Sequence, residues 1–146
     1  MKEVGILNRD IAEIISMMGH TDEMIVCDAG FAIPLGVKSV DVSLAENKPT
    51  VIEVLEELVK YFSVEKLILA NETREVSPSM FERIIAIFDE NNIEIEIIPH
   101  TEFKQRSKGA KAIIRTGDFT AYTNVLLVSG AGDRWYVEKQ PETNPQ

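Results

Sequence analysis

Residues 18–30 read MGHTDEMIVCDAG, a short apolar run with a glycine-containing polar turn on each side. The run from Met24 to Cys27 is bounded by charged and glycine residues, which is typical of a strand buried on both faces of a sheet. Asp28 then follows the carboxyl end of this strand. His20 follows the end of a predicted helix, because Gly19 occupies the position of a left-handed C-cap residue. The stretch therefore predicts a helix end, a turn and a buried strand in succession.

Capping residues and apolar side chains at helical spacing predict the helices. Asn8 is a good N-cap for the helix that ends before Gly19. Thr50 and Glu53 have the spacing of a capping box. Ser77 and Pro78 provide a cap and a first-turn proline for a later helix. The predicted helices cover residues 9–18, 51–62 and 78–91, with a short helical turn at residues 101–105.

Short apolar or alternating runs between these helices predict the other strands. They lie at residues 39–43, 66–70, 93–98, 112–115 and 124–129, and residues 31–36 are expected to form a loop. Strands alternating with helices predict an α/β fold, a single-domain sandwich with a mostly parallel central sheet flanked by helices. We expect the domain to cover residues 1–137. The polar tail at 138–146 is expected to be disordered.

Composition limits the possible partners and compartments. The 146 residues are 45% apolar, which is enough for one core, and the net charge of -9 comes without a Lys/Arg cluster. We therefore expect no nucleic-acid partner and no binding to an anionic membrane. The single cysteine, Cys27, cannot form an internal disulfide and is expected to be a buried hydrophobe. The sequence shows no signal peptide, and no apolar run approaches the roughly 20 residues that span a membrane. We therefore expect a cytoplasmic protein.

His20 is the strongest candidate for a reactive side chain. Imidazole can both give and take protons near neutral pH. Because Asp28 ends the adjacent strand, we expect His20 and Asp28 to meet at the carboxyl edge of the sheet. A purely structural role for His20 at a helix end stays open, since the helix dipole favours it there. Asp22 has two possible roles, as a carboxylate that orients His20 or as a solvated turn residue.

Two further groups of polar side chains follow or precede predicted strands. His100 comes after a proline at a strand end, where open α/β sheets bind ligands. Tyr122, Thr123 and Asn124 bring a phenol, a hydroxyl and an amide to one short segment, which suits recognition of sugar hydroxyls. Tyr122 and Asn124 are expected to share one side of the chain, with Thr123 offering mainly its backbone. The alternatives are an exposed loop histidine and an ordinary polar turn.

The patterns of several familiar chemistries are missing from the sequence. There is no cysteine pair, no His-x-x-x-His, no phosphate-binding glycine loop with lysine and no Gly-x-Ser-x-Gly. We therefore expect neither a metal site nor a cofactor. The acidic residues Glu53, Glu56 and Glu57 are interpreted as the solvated face of their helix.

Short motifs between residues 4 and 130 have a distinctive combination and spacing. They are Gly5-Ile6-Leu7-Asn8, Gly19-His20-Thr21-Asp22, Cys27-Asp28-Ala29-Gly30, Ile33-Pro34, His100, Phe103-Lys104, Ile114-Arg115-Thr116-Gly117 and Tyr122-Thr123-Asn124. Through these motifs the chain resembles the D-ribose pyranase family. Two departures are a C-terminal extension beyond residue 130 and Thr123, where familiar members have alanine.

The resemblance implies a function and a set of roles. It implies a cytoplasmic isomerase that interconverts β-D-ribopyranose and β-D-ribofuranose and supplies a kinase with the furanose. His20 would be the proton donor, while Asp28, His100 and the segment Tyr122, Thr123 and Asn124 would bind the sugar. Neither metal nor redox cofactor would be needed. The family also forms ring-shaped homodecamers with sites near subunit contacts. The alternatives are an L-fucose-type mutarotase and a non-catalytic sugar-binding module.

Overall fold

The computed structural model describes residues 1–88, 93–139 and 141. Helices and strands alternate through most of this part of the chain, as the apolar patterns predict. In chain order the elements are α1 Arg9–Met17, β1 Glu23–Cys27, β2 Lys38–Asp41, α2 Val51–Leu58, β3 Val64–Ala70, α3 Asn71–Val76, α4 Pro78–Phe88, β4 Glu94–Ile98, α5 His100–Ser107, β5 Ala112–Arg115 and β6 Val125–Ser129.

The strands form one six-stranded sheet in the order β2-β5-β1-β6-β3-β4. The β2–β5, β5–β1 and β3–β4 pairs are parallel, whereas β6 runs antiparallel to both β1 and β3. The predicted α/β class with a mostly parallel central sheet is confirmed. The carboxyl ends of β1, β3, β4 and β5 therefore lie at the same edge as the start of β6.

The sheet has an apolar core on each face. Met24 and Val26 of β1 belong to the core formed with α1, α2 and α4. Ile25 and Cys27 belong to the opposite core, where Phe103 of α5 packs. All five side chains are fully buried, and burial of a large apolar side chain contributes about 1.5–3 kcal/mol. Burial on both faces explains why β1 is a continuous apolar run in the sequence.

The predicted starts of α1, α2 and α4 are confirmed, but α2 and α5 differ in length from the prediction. Asn8 accepts hydrogen bonds from the first turn of α1, and Thr50 forms the complete capping box with Glu53. Helix α2 ends at Leu58 rather than at residue 62, and Phe62 is still buried because it packs from the following turn. Helix α5 begins at residue 100 and runs to 107, longer than the predicted turn. The predicted end of α4 at residue 91 lies outside the described residues.

The turn after α1 differs from the predicted glycine cap. The positive φ, 72°, belongs to Thr21 rather than to Gly19. The Gly19 N–H donates to Asp22 Oδ2 at 2.7 Å. A Cβ at residue 19 would lie 3.2 Å from that oxygen, so Gly19 permits a close approach instead of a left-handed backbone. The Asp22 carboxylate takes over the capping of this turn.

Helix α3 was not predicted from the sequence. Its six residues, NETREV, have no apolar stripe, and Thr73 is its one buried side chain. The helix follows β3 directly and connects it to α4. Its place in the fold depends on contacts with distant residues, because Thr73 Oγ1 donates to the carbonyl of Tyr122.

Beyond β6 the chain continues past the sheet. Trp135, Tyr136 and Val137 are exposed. In the predicted tail, residues 140 and 142–146 lie outside the described residues, so the expected disorder stays a prediction. Within the described part of the chain, no helix combines the length and apolar character required to cross a membrane.

Candidate active site

Asp28 lies immediately after β1 and is buried. Its carboxylate accepts the N–H of Gly30 at 3.0 Å, and its own N–H donates to Asn124 Oδ1 at 3.0 Å. Burial raises the pKa of Asp28, and the nearby Asp118 adds to this effect. Backbone N–H groups of residues 30, 31 and 123 oppose the rise by binding the carboxylate. Asp28 is thus a buried acceptor held at the carboxyl edge of the sheet.

The segment Tyr122-Thr123-Asn124 lies beside Asp28 at the start of β6. Thr123 and Asn124 are buried, and Tyr122 has a positive φ of 57°. The Tyr122 carbonyl accepts the Thr73 hydroxyl at 2.6 Å, so α3 holds this unusual backbone in place. Asn124 binds the Asp28 backbone. The segment 122–124, which was predicted as a binding segment from its polar side chains, therefore lies in contact with Asp28.

His100 opens α5 at the same edge. Its backbone N–H donates to Glu72 Oε2 at 2.8 Å, and its ring lies edge-on to Tyr122 with centroids 5.0 Å apart. The ring is also stacked over Phe103 at a centroid distance of 6.4 Å. Burial lowers the pKa of His100, and the positive charge of Lys104 lowers it further. A neutral imidazole at this position can both donate and accept a hydrogen bond.

Two polar atoms in this group lack partners. Within the described residues, neither His100 Nδ1 nor Thr123 Oγ1 has a hydrogen-bond partner, although both are buried. A buried polar group without a partner costs about 1–3 kcal/mol. Such atoms, beside a buried carboxylate, indicate a site that binds a polar ligand. Thr123 thus has a buried hydroxyl without a partner in the described residues, in addition to the backbone that it was predicted mainly to offer.

A cavity of about 400 Å³ adjoins Asp28 and is lined by residues 28–30, Arg115 and residues 118–121. This size falls in the usual range of small-molecule pockets. Arg115 donates through Nε and Nη2 to the Ala29 carbonyl, at 3.1 and 2.9 Å, and through Nη1 to Asp41. Arg115 thus fixes the loop that follows Asp28. The residue patterns alone assigned no role to Arg115 or to Glu72, although both lie at the carboxyl ends of strands.

The structure places His20 away from these residues. His20 precedes β1 and Asp28 follows it, so the five-residue strand separates them by about 16 Å along its axis. The expectation that the two side chains meet at the carboxyl edge is wrong within one chain. The reason is the direction of β1, which carries residues before and after it to opposite edges of the sheet.

His20 pairs instead with Glu65 of β3. His20 Nε2 lies 2.9 Å from Glu65 Oε2, and the two side chains are 62% and 43% exposed. Asp22 binds the Gly19 N–H and Lys111 Nζ, each at 2.7 Å, and these bonds lower its pKa. Asp22 is therefore a turn residue and does not orient the His20 ring. Glu65 was missed because it is 45 residues away in the sequence.

Cys27 and the acidic face of α2 have the predicted structural roles. Burial raises the pKa of the Cys27 thiol to about 12, so it remains protonated and unreactive. Glu53, Glu56 and Glu57 are exposed, as expected for a solvated helix face. In the described ranges, no three His, Cys, Asp or Glu side chains are grouped so that they could hold a metal ion.

The family described as "RbsD / FucU transport protein family" matches residues 1–132. The chain belongs to this family. Curated relatives in the RbsD / FucU family carry the name D-ribose pyranase. The protein from Thermotoga petrophila is 46% identical over 132 residues, which cover 89% of this chain and 98% of that protein. The protein from Halalkalibacterium halodurans is 44% identical over 130 residues, with the same two coverages.

Solved structures of the RbsD / FucU family have the same fold. RbsD from Bacillus subtilis complexed with D-ribose is 40% identical, with a TM-score of 0.85 over 90% of this chain and 98% of that chain. The fucose mutarotase from Streptococcus pneumoniae, in complex with L-fucose, is 19% identical with a TM-score of 0.71. It covers 86% of this chain and 94% of its own, and it shares the fold alone.

Proposed function

We propose that this protein is a D-ribose pyranase, an isomerase that interconverts β-D-ribopyranose and β-D-ribofuranose. One observation carries the proposal: Asp28, His100 and the segment 122–124 meet at one edge of the sheet, and two buried polar atoms there have no partner among the described residues. The names of relatives up to 46% identical, and the ribose bound to a 40% identical structure, supply the substrate. The sugar's hydroxyls would satisfy His100 Nδ1 and Thr123 Oγ1.

The proposed reaction needs only proton transfers. Ring opening removes the proton of the anomeric hydroxyl, breaks the bond between C1 and the ring oxygen, and delivers a proton to that oxygen. The oxygen of the C4 hydroxyl then attacks C1 of the aldehyde and gives up its proton, while the aldehyde oxygen takes up a proton and becomes the new anomeric hydroxyl, which closes the five-membered ring. We assign proton donation to His20, because imidazole exchanges protons near neutral pH. Asp28, His100, Tyr122, Thr123 and Asn124 would hold the hydroxyls in the orientation needed for reclosure.

The separation of His20 from the binding residues supports a site shared between subunits. We propose that His20 of one subunit reaches the sugar bound at the carboxyl edge of a neighbouring subunit. The exposure of the His20 side chain, 62%, makes it available for such a contact. A ring-shaped homodecamer is the assembly that we propose, with one kind of contact repeated around a closed ring.

A cytoplasmic location is also part of the proposal. The single cysteine is a buried free thiol, which fits a reducing compartment. L-fucose mutarotation is the second candidate activity, because a fucose mutarotase shares the fold. Its 19% identity, against 46% for a ribose pyranase, favours ribose.

The test is NMR exchange spectroscopy of ribose at equilibrium. The rate of pyranose to furanose conversion is compared without protein, with this protein and with its His20→Ala variant. We expect acceleration by the wild type and an approximately 10²-fold loss in the variant, the usual contribution of a positioned acid or base. The exposed Arg83→Ala variant is the control and should keep the wild-type rate.

Three other outcomes would each contradict the proposed activity or the proposed role of His20. Full activity of a folded His20→Ala variant would contradict the role of His20. Acceleration of fucose exchange but not of ribose exchange would identify a fucose-type mutarotase. Ribose binding without any acceleration would identify a non-catalytic sugar-binding module.

A further inference from the structure

We infer that Glu65 is a positioning residue for His20, an inference that rests on the proposed function. Glu65 Oε2 lies 2.9 Å from His20 Nε2. A carboxylate can only accept a hydrogen bond, so the nitrogen engaged with it carries the proton. The other ring nitrogen, Nδ1, is then left to exchange a proton with the sugar. This arrangement sets both the orientation and the tautomer of the His20 ring.

An irregularity in the sheet directs Glu65 toward His20. In the β3–β6 pair, Val64 pairs with Ser129 and Lys66 with Val128, so Glu65 is an extra residue without a partner on β6. Such a β-bulge changes the direction of a side chain and is frequent beside active sites. The bulge therefore places the Glu65 carboxylate at the sheet edge where His20 lies.

Gly130 provides the space for this bulge. A Cβ at residue 130 would lie 2.7 Å from Glu65 Cβ and 3.0 Å from Glu65 N. The Gly130 N–H donates to the Ser63 carbonyl at 2.9 Å, which holds the two chains together at this point. Any side chain at residue 130 would therefore displace Glu65 from its position.

The neighbouring lysines pair with other carboxylates, and the Glu65 carboxylate pairs with His20. Lys66 binds Glu94 and Glu96, at 3.5 and 2.7 Å, and Lys111 binds Asp22. In the part of the chain that the structure describes, His20 is the one cationic or imidazole group paired with Glu65. When His20 holds the proton that it delivers to the ring oxygen, the adjacent carboxylate stabilises the positive ring. Glu65 acts only as a hydrogen-bond acceptor for the ring and transfers no proton itself.

A structural role alone accounts poorly for this pair. Both side chains are substantially exposed, and exposed ion pairs contribute little to stability. The Glu65→Ala variant should therefore fold with the wild-type thermal midpoint. The effect of this variant should be on the rate of ribose exchange.

The test compares Glu65→Ala and Glu65→Gln with Glu94→Ala, a matched removal of an exposed carboxylate from the neighbouring strand. Ribose exchange is measured by NMR over a range of sugar concentrations to separate kcat from KM. For Glu65→Ala we expect kcat to fall about tenfold or more, with KM within about twofold of wild type. Glu65→Gln keeps an acceptor oxygen but loses the charge, so its kcat should lie between those of wild type and Glu65→Ala. Glu94→Ala should match wild type.

A spectroscopic readout reports on the ring itself. The chain has two histidines, and the ¹⁵N signals of their rings can be assigned with the His20→Ala variant. In wild type, the Nε2 of His20 should have the shift of a protonated, hydrogen-bonded nitrogen. In Glu65→Ala this signal should move toward the value of free histidine, and it should not move in Glu94→Ala.

The results separate this inference from the proposed function. A wild-type protein that does not accelerate ribose exchange would overturn both. An active wild type with an unchanged kcat and unchanged His20 signals in Glu65→Ala would overturn the inference alone. Gly130→Ala is the second variant, and it should lower kcat as Glu65→Ala does. The double variant with both changes should lose no more kcat than either single variant.

Discussion

At the scale of single residues, the carboxyl edge of the sheet combines polar groups that are wholly or partly removed from water. His100 is packed between the rings of Phe103 and Tyr122, and its Nδ1 has no partner within the described residues. Asp28 is buried with a raised pKa. The backbone N–H of Asp28 donates to Asn124, and the backbone N–H of His100 donates to Glu72. Both residues are therefore held by partners that are far away in the sequence. These hydrogen bonds fix the backbone of both residues at the carboxyl edge, and a fixed backbone loses less entropy when a ligand binds.

The environment of His100 predicts a pH dependence of stability. Burial lowers its pKa from the ordinary value of 6.5, so the unfolded chain takes up a proton that the folded protein resists. The stability contributed by neutral His100 is present above pH 6.5 and is lost as the pH falls below it. We expect the thermal midpoint to fall less between about pH 7.5 and about pH 5 in His100→Gln than in wild type.

Thermal denaturation at the two pH values measures this difference. His100→Gln keeps the backbone N–H that donates to Glu72, so the start of α5 should remain intact. Equal falls in the wild type and the variant would contradict the lowered pKa of the half-buried His100.

At the scale of elements, the helix starts could be predicted because capping is local. The capping box of α2 needs only Thr50 and Glu53, three residues apart. The Val51 N–H also donates to Asp118 Oδ2 at 2.9 Å, a contact across 67 residues that the sequence did not reveal. Asp118 lies in the loop that lines the cavity beside Asp28. The start of α2 is thus connected to the ligand-binding edge.

Loss of the Thr50 cap should destabilise the protein. Thr50→Ala removes the acceptor for the Glu53 N–H, and the expected loss in the free energy of unfolding is about 1 kcal/mol. Urea denaturation gives this value, with an unchanged dependence on urea concentration. Glu56→Ala, on the exposed face of the same helix, is the control and should have little effect. A Thr50→Ala variant as stable as wild type would show that Asp118 alone is sufficient to cap the helix.

At the scale of the whole molecule, the proposed reaction needs two edges of the sheet. Residues 28, 100 and 122–124 lie at the carboxyl edge, while His20 and Glu65 lie at the other. A single chain does not bring both groups to one ribose molecule, because the length of β1 lies between them. Contact between subunits would bring the two edges together.

Mixed assemblies test this arrangement. His20→Ala and Asp28→Asn should each lose most of the activity alone, because each variant lacks one of the two residues in every site. When the two variants are co-expressed and assemble at random, about a quarter of the sites should combine an intact His20 with an intact Asp28. Ribose exchange should then recover to about a quarter of the wild-type rate.

The matching control pairs His20→Ala with the double variant that carries both changes. No mixed site in that assembly has an intact His20, so no activity should return. Absence of recovery in confirmed mixtures of His20→Ala and Asp28→Asn would indicate that each site belongs to one chain.

The sequence by itself determined the α/β class, the starts of α1, α2 and α4, the buried strand at residues 24–27 and the polar groups at the carboxyl edge of the sheet. These features depend on neighbours within a few residues, such as the cap at Asn8 or the apolar run before Asp28. Its motifs also indicated the family to which the chain belongs.

The tertiary structure alone decided the order of the strands, the placement of α3, the pairing of His20 with Glu65 and the separation of His20 from Asp28. Each of these depends on contacts between residues far apart in the sequence. The bulge at Glu65 exists because β6 pairs with β3 opposite Gly130, and no local pattern in either strand specifies that register. Strand pairing is set by the packing of both sheet faces at once, so it emerges only when the whole chain has folded.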